Sequence, residues 1–325
     1  MFESKSEIGP YLDESELFPL ADEIAKLCAP AVAFERAGAG EAACGQLGGE
    51  PRLPASLPWP VRPAYRDSKA MSARLGGRSP GFPRAFEGAT PLYFVGEIDL
   101  AVLKAAGALE ARFPSEGRLL FFWDPLCGPW IDSNESCRVI FDRSPVSALE
   151  RRAPPAELDF FKENDLMPTR FTETPLKPVA IWSLPDRFLM QDIGSKTLRD
   201  AFHDDDLEEA WDDFFECVMD MRATDLVSGR VVLPHRFGGW PIPEQGDPRF
   251  NAAASSHGVY GFGRTPNEAE RLEAEGEIDQ WTLLLQVGIS DICTSFAEGV
   301  VYFAMRETDL KAANFDRVHA IYQQT

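Results

Sequence analysis

The sequence has few of the residues on which most catalytic and metal sites depend. Its 325 residues include four histidines and six cysteines, without a Cys-x-x-Cys pair or histidines at zinc-ligand spacing. A Gly-x-Ser-x-Gly nucleophile motif and a Gly-Lys-Ser/Thr phosphate loop are also missing. We therefore expect no catalytic residue, no metal and no cofactor, and we expect the scattered cysteines to be reduced thiols.

Positive charge and long apolar runs are scarce as well. The chain has 32 Lys and Arg against 52 Asp and Glu, a net charge of −20. Because nucleic-acid binding needs clustered cations, this balance excludes it for the protein as a whole. No run approaches the roughly 18 apolar residues of a membrane span, and the N-terminus has no signal-peptide pattern. We expect a cytoplasmic protein with no nucleic-acid or membrane partner, whose charge favours either a basic protein partner or solubility alone.

Apolar residues are present in short, separated runs. With 44% hydrophobic residues, 23 Phe and 7 Trp, the chain can form a substantial core. Runs rich in aromatic and β-branched residues occupy 92–95, 119–123, 139–141 and 179–182. Each run has the length of a strand and is bounded by turn-forming residues, so each is predicted to be a β-strand.

Motifs of the first half recur in the same order in the second half. Gly-Gly-Glu-Pro at 48–51 is followed 190 positions later by Gly-Gly-Trp-Pro at 238–241, and two pairs of apolar runs recur at offsets of 189 and 182. We predict an α+β fold of two related, mostly antiparallel β-rich halves, with packed helices and a helical connector. A shared turn would require positive φ at Gly49 and Gly239.

The proposed division of the chain follows these runs. We divide it into an N-terminal helical segment (1–46), a first β-rich half (47–150), a helical connector (151–228) and a second β-rich half (229–325). The first half contains a basic stretch at 61–90 with Ser, Gly and Pro, which we expect to be an exposed insertion.

An acidic, amphipathic helix is predicted within the connector. Its apolar residues, among them Trp211, Phe214 and Phe215, recur at helical spacing and are expected to face the core. Two interpretations of its carboxylates stay open, a solvated surface or a docking site for a cationic partner. The candidate partner-binding residues are Asp204, Asp205, Asp206, Glu208, Glu209, Asp212, Asp213 and Glu216.

The densest polar and aromatic cluster is His-Arg-Phe-Gly-Gly-Trp-Pro at 235–241. Because His and Arg bind anions and Trp offers a stacking face, His235, Arg236 and Trp240 are candidate ligand-binding residues. With Gln286 they would line a cleft between the two halves. The alternative is structural, since these side chains could satisfy the backbone of a proline-rich loop. Asp99 has a similar pair of interpretations, a general acid or a helix cap.

Six motifs occur in a fixed order: Gly-Gly-Glu-Pro-Arg-Leu-Pro at 48–54, Phe-Val-Gly-Glu-Ile-Asp-Leu at 94–100, Gly-Arg-Leu-Leu-Phe-Phe at 117–122, the cluster at 235–241, Trp-Thr-Leu-Leu-Leu-Gln at 281–286 and Gly-Val-Val-Tyr-Phe at 299–303. Together they resemble the YwqG-like family of bacterial proteins. The resemblance implies an α+β fold rich in antiparallel strands, with no assigned catalytic residue or cofactor. Glu97 departs from the family pattern, which has Gln there. Family members placed beside secreted bacterial toxins imply an immunity role.

Two hypotheses for the function follow. The first is a non-enzymatic protein-binding module, in its specific form an immunity protein that neutralises a basic bacterial toxin. It rests on the net charge, the acidic helix and the missing catalytic motifs. The second is a small-molecule-binding protein or an enzyme, with its site in the cleft between the halves.

Overall fold

The computed structural model describes residues 2–13, 15–66, 68–75, 82–131, 133–190, 193–219, 233–259, 266–296 and 298–324. Its main feature is a sheet of ten antiparallel strands whose two edges approach each other. Helices and a proline-rich segment cover the outer face of this sheet. The predicted α+β fold, rich in antiparallel strands, is confirmed.

The strands are β1 Ala29–Arg36, β2 Gly45–Leu47, β3 Arg52–Pro54, β4 Val61–Arg62, β5 Thr90–Pro91, β6 Tyr93–Asp99, β7 Arg118–Trp123, β8 Cys137–Asp142, β9 Leu149–Arg151, β10 Thr174–Ser183, β11 Leu233–Phe237, β12 Trp281–Gly288, β13 Val300–Arg306 and β14 His319–Gln323. The helices are α1 Ile8–Asp13, α2 Ala21–Lys26, α3 Ser68–Leu75, α4 Phe82–Glu87, α5 Leu100–Ala105, α6 Asp159–Glu163, α7 Arg187–Met190, α8 Lys196–Ala201, α9 Asp205–Met219, α10 Pro248–Ser256, α11 Glu268–Glu275 and α12 Glu307–Lys311. Within the described residues, no helix combines the length and the apolar character needed to cross a membrane.

The order of strands in the main sheet is symmetric about its centre. The sheet runs β14-β13-β12-β11-β1-β10-β2-β6-β7-β8. Residues 29–142 contribute β1, β2, β6, β7 and β8, and residues 174–323 contribute β10 to β14. From here on, these two parts of the chain are called the first half and the second half. The first strand of each half pairs with the second strand of the other, β1 with β11 and β10 with β2. An internal duplication produces this kind of arrangement.

Local irregularities repeat at the same spacing in the two halves. A β-bulge interrupts β6 at Val95 and β12 at Leu284, 189 positions later. The turn glycines also correspond, with φ of 58° and 73° in Gly48-Gly49 and of 68° and 67° in Gly238-Gly239. The predicted positive φ of Gly49 and Gly239 is therefore confirmed.

The inner face of the curved sheet holds the main hydrophobic core. Side chains of both halves, such as Val95, Leu119 and Val301, are fully buried there. Phe121 and Phe303, which occupy corresponding positions of β7 and β13, lie with 5.1 Å between their ring centroids. Each such side chain contributes about 1.5–3 kcal/mol by leaving water. The two halves therefore share one core.

The outer face is covered by different elements in the two halves. Over the first half lies a proline-rich segment whose Trp59 packs edge to face on Phe122, with 5.5 Å between ring centroids. Over the second half lie α10 and α11, which cover Trp281 and Tyr302. A separate core forms where the N-terminal helices meet α8 and α9, and Trp211 of α9 is fully buried within it.

The centre of the sheet comes from two segments predicted as mainly helical, 1–46 and 151–228. The first contains β1 and the second contains β10, in addition to the helices. The middle of β1 is buried on both faces, so the strand lacks the alternation of apolar and polar residues by which a half-exposed strand is recognised.

Part of the basic stretch at 61–90 is packed against the first half, although Arg66, Lys69 and Arg84 of this stretch are exposed. It begins in β4 and ends in β5, and these two strands pair with each other. Arg62 is 3% exposed, and its Nε donates to Oδ2 of Asp124 at 2.6 Å. The Tyr65 hydroxyl donates to the same oxygen at 2.8 Å. The expectation of an exposed insertion is therefore corrected for these residues, while 76–81 lie outside the described part of the chain.

The two edges of the sheet, β8 and β14, come close just before β8 begins. Ser133 exchanges two backbone hydrogen bonds with Ala320 of β14, at 3.2 and 3.3 Å. The Cys137 thiol lies 3.4 Å from the Val318 carbonyl oxygen. Beyond this point no described strand continues the ladder on the outer edge of β8.

Candidate functional site

Three of the four predicted ligand-binding residues meet on the outer face of the second half. Arg236 of β11 and Gln286 of β12 are cross-strand neighbours, and Arg236 Nη1 donates to the Trp240 carbonyl oxygen at 2.9 Å. Gln286 Oε1 accepts a hydrogen bond from the Ile242 N–H at 2.9 Å. The Trp240 indole donates to the Leu27 carbonyl oxygen at 2.6 Å. These contacts hold the loop that follows β11 against the sheet.

His235 does not join this group, because successive residues of a strand point to opposite faces of the sheet. It is 1% exposed, and its Nδ1 accepts a hydrogen bond from the Gly288 N–H at 3.2 Å. Burial lowers the pKa of His235 to about 3. Its imidazole is therefore neutral at physiological pH and supports the backbone at the end of β12.

Further polar side chains of the outer face hold the same loop. The Tyr302 hydroxyl donates to the Ile242 carbonyl oxygen at 2.7 Å, and Gln323 Oε1 accepts from the Glu244 N–H at 3.0 Å. Burial lowers the pKa of Arg236 to about 10, which leaves its guanidinium charged at neutral pH. Sequence reasoning missed Tyr302 and Gln323 because each lies in a strand 60 or more positions away from the loop residue that it contacts.

The corresponding position of the first half has an ion-pair network instead. Glu97, which is 1% exposed, matches Gln286 in position after the bulge. Its Oε1 accepts from Arg52 Nη2 and its Oε2 from Arg118 Nη1, both at 2.9 Å. Arg118 also pairs with Asp142. The two arginines thus compensate the negative charge of this buried carboxylate.

Two of the candidate acidic residues cap helices. Asp99 Oδ1 accepts from the N–H groups of Ala101 and Val102 at 2.9 and 3.1 Å, which confirms the cap interpretation for α5. Asp204 Oδ1 accepts from the Asp206 N–H at 3.0 Å at the start of α9. Such caps contribute about 1 kcal/mol each.

The structure also brings together a serine and a histidine that sequence reasoning did not connect. Ser255 Oγ lies 2.9 Å from His319 Nδ1, and both residues are buried. Burial lowers the pKa of His319 to about 4, which makes it a weak base at neutral pH. Burial likewise raises the thiol pKa of Cys44 and Cys137 to about 12. Across the described residues, no three His, Cys, Asp or Glu side chains are placed to hold a metal ion.

The acidic helix α9 has one packed face and one exposed face. Trp211, Phe214 and Phe215 are buried as predicted. Of the candidate partner-binding residues, Glu208 and Asp212 are half-buried, while the side chains of Asp205 and Glu216 lie outside those that the structure describes. The exposed carboxylates are Asp204, Asp206, Glu209 and Asp213.

A groove of about 1190 Å³ opens beside β8. One wall is the segment 57–64, in which the Trp59 indole donates to the Leu92 carbonyl oxygen at 2.8 Å, and the other wall is the turn 313–316. Val61, which lines the groove, is 54% exposed. Two ion pairs lie at the rim: Arg66 with Glu135 and Arg138 with Asp316.

Residues 45–323 match the model of one protein family, the domain of unknown function DUF1963. The matched span starts at the first residue of β2 and ends at the last residue of β14. The chain therefore belongs to this family. No curated protein matches the chain.

Proposed function

We propose that this member of the DUF1963 family is a non-enzymatic protein-binding module that docks a basic protein on the acidic face of α9. The observation that carries the proposal is the triplet Asp206, Glu209 and Asp213. Steps of three and four residues place these carboxylates on one side of the helix. All three are exposed, and none forms an ion pair with any described residue.

The surroundings of this triplet support a docking role. Other exposed carboxylates have cationic partners, as Asp316 has in Arg138 at 2.7 Å and Glu268 has in Arg271 at 2.8 Å. The opposite side of α9 is fixed by Trp211, which is fully buried. A packed helix presents its carboxylates in a fixed array, so less conformational entropy is lost when a partner binds.

More specifically, the protein is proposed to be a cytoplasmic immunity protein that neutralises a bacterial toxin. The support for this form is the resemblance to the YwqG-like family and the net charge of −20. A basic toxin would be steered toward the acidic face, which raises the association rate most at low ionic strength.

The test measures association with the proteins encoded beside the gene. A partner is first identified by stoichiometric pull-down, and its association rate is then followed by stopped flow at two ionic strengths. The triple variant Asp206→Lys, Glu209→Lys and Asp213→Lys should lower the rate by about tenfold or more at low salt. The loss should be smaller at high salt because screening already weakens the attraction.

A matched control changes the net charge equally at another place. Glu150, Glu157 and Glu163 are exposed and form no ion pair with a described residue. Their replacement by Lys should change the association rate much less than the α9 triplet does. Equal losses from the two triplets would show that net charge alone acts, and an unchanged rate in the α9 triplet would reject α9 as the docking face.

The alternative, a small-molecule site at Arg236, Trp240 and Gln286, has less support because each of these side chains already forms a structural hydrogen bond. Arg236 and Gln286 bond to the backbone of the loop after β11, and Trp240 of that loop donates to the Leu27 carbonyl oxygen. A metabolite retained by the protein in native mass spectrometry, and lost in Gln286→Ala, would favour that alternative.

A further inference from the structure

The outer edge of β8 carries backbone groups that its own ladder does not use. The Asp124 N–H donates to the Ser136 carbonyl oxygen at 2.8 Å, and the register continues from this pair along β7 and β8. In an antiparallel ladder, alternate residues direct both backbone groups toward the partner strand. Residue 140 therefore faces β7, whereas Val139 and Phe141 direct their N–H and C=O groups away from it.

These outward groups find no partner elsewhere in the part of the chain that the structure describes. Neither Val139 nor Phe141 forms a backbone hydrogen bond with a described residue outside β7. Both residues line the groove beside β8. Edge groups of this kind are a template for the addition of another strand.

We infer that the groove binds an extended segment of a partner protein, which adds a strand to β8. Main-chain hydrogen bonds to Val139 and Phe141 would supply affinity. Every second side chain of the segment would face Trp59, Val61 and Ile140, which favours apolar residues at alternate positions. The strand spans six residues, so the bound segment has about the same length.

The charge of the groove selects a segment without net charge. Arg66 pairs with Glu135 at 3.0 Å and Arg138 pairs with Asp316 at 2.7 Å, so the four rim charges already balance. Binding here should therefore depend little on salt. This surface is distinct from the acidic face of α9, and its occupation does not rest on the function proposed above.

A second copy of the same chain fits the groove less well than a free segment. Paired strands lie about 4.8 Å apart. In each copy, the walls at 57–64 and 313–316 stand beside β8, so two such edges are hindered from approaching each other at that spacing. A flexible segment of another protein has no walls of its own.

The probe is a phage-displayed library of random peptides of about ten residues, selected on the wild-type protein. Selected peptides should alternate apolar residues. Two N-methylated forms of a selected peptide are compared, one methylated at the odd-numbered residues and one at the even-numbered residues. One form should bind about tenfold or more weakly and the other should bind nearly as well as the unmodified peptide, because only one of these two sets of N–H groups faces β8. The inference would be overturned if the library yields no binder, or if neither of the two N-methylated forms binds more weakly than the unmodified peptide.

Two valines provide a matched pair of variants. Val61 is 54% exposed within the groove, and Val146 is 69% exposed on a turn outside it. Val61→Glu should weaken the selected peptide by about tenfold or more, whereas Val146→Glu should change its affinity by less than about twofold. Equal effects of the two variants would place the binding site elsewhere.

Hydrogen exchange gives a readout that tests the geometry itself. Addition of the peptide should slow exchange at the amides of Val139 and Phe141 and leave that of Ile140, which already pairs with β7, nearly unchanged. Unaltered exchange at Val139 and Phe141 would reject strand addition. A dimer in size-exclusion chromatography that Val61→Glu dissociates would identify a second copy as the occupant and would overturn the commitment to a partner segment.

Discussion

Glu97 and Gln286 occupy the same place in the two halves of the molecule and stabilise their surroundings in different ways. Both follow a β-bulge, both are buried, and both belong to the third strand of their half. Glu97 accepts from Arg52 and Arg118, whereas Gln286 accepts from the Ile242 backbone N–H.

This difference shows what the repeated backbone fixes and what it leaves open. The bulge fixes where the side chain points, and the neighbours decide whether it carries a charge. A buried carboxylate needs its cations, so the first half depends on an ion-pair network. A neutral amide needs no counter-charge, so the second half depends on single hydrogen bonds to a loop.

The largest expected effect compares two corresponding glycines. In Gly48→Ala the new Cβ would lie 2.2 Å from the Thr172 carbonyl oxygen, at a φ of +58°. We expect a loss of about 3–5 kcal/mol in the free energy of unfolding. At Gly238 the nearest atom, on Phe113, is 3.5 Å away, so Gly238→Ala should cost about 1–2 kcal/mol. Chemical denaturation measures both, and equal losses would contradict the packing difference.

The next effect breaks the charged network. Glu97→Gln leaves Arg118, which is 5% exposed, with Asp142 as its remaining anion. We expect a loss of about 3 kcal/mol in the free energy of unfolding. Arg52→Ala is the control, because the side chain of Arg52 is 42% exposed and should contribute about 1 kcal/mol or less. If Glu97→Gln costs no more than Arg52→Ala, the network is not a buried unit.

Acid should destabilise the second half before the first. The pKa of His235 is lowered to about 3 and that of His319 to about 4, so between pH 6.5 and those values the unfolded chain binds protons that the folded chain does not. Stability is therefore lost as pH falls through 6.5, by about 2 kcal/mol for the two residues together between pH 6.5 and 5.5. Denaturation at the two pH values measures this.

The control for this prediction is the double variant His235→Asn with His319→Asn. It should lose most of the pH dependence whatever its own stability is. The protection factors for hydrogen exchange, which are corrected for the intrinsic rate at each pH, should fall at pH 5.5 more in β11 to β14 than in β6 to β8. If the free energy of unfolding of the double variant changes with pH as much as that of the wild type, the acid sensitivity belongs to other groups.

The smallest effect removes the neutral anchor of the second half. Gln286→Ala leaves the Ile242 N–H without its acceptor, and we expect a loss of about 1.5 kcal/mol in the free energy of unfolding. Exchange of the amides in the loop after β11 should increase at the same time. A loss as large as that of Glu97→Gln would contradict the contrast between the two halves.

Much of the fold was predictable because several strands are continuous apolar runs. The runs at 92–95, 119–123, 139–141 and 179–182 overlap β6, β7, β8 and β10. The positive φ of Gly49 and Gly239 followed from the repeated motif. In contrast, β1 escaped prediction, because its buried alanines show neither alternation nor enrichment in β-branched residues.

The candidate site was less predictable, because its members come from distant parts of the chain. Adjacency in sequence grouped His235 with Arg236, although a strand separates them onto opposite faces. The burial of Arg62 depends on Asp124, 62 positions away, whereas composition alone assigned this arginine to an exposed insertion. The groove beside β8 depends on walls from residues 57–64 and 313–316, which no local pattern connects.

At the centre of the sheet, the first strand of each half pairs with the second strand of the other half, and this has a consequence for biosynthesis. When the first half leaves the ribosome, β2 still lacks β10 and β1 lacks both β10 and β11, because its partners have not been translated. Neither half can complete its hydrogen bonds alone, so a polypeptide cut between β9 and β10 should give two fragments that fold only by complementing each other. The nascent chain must then keep these edges apart from other chains until synthesis has passed β11.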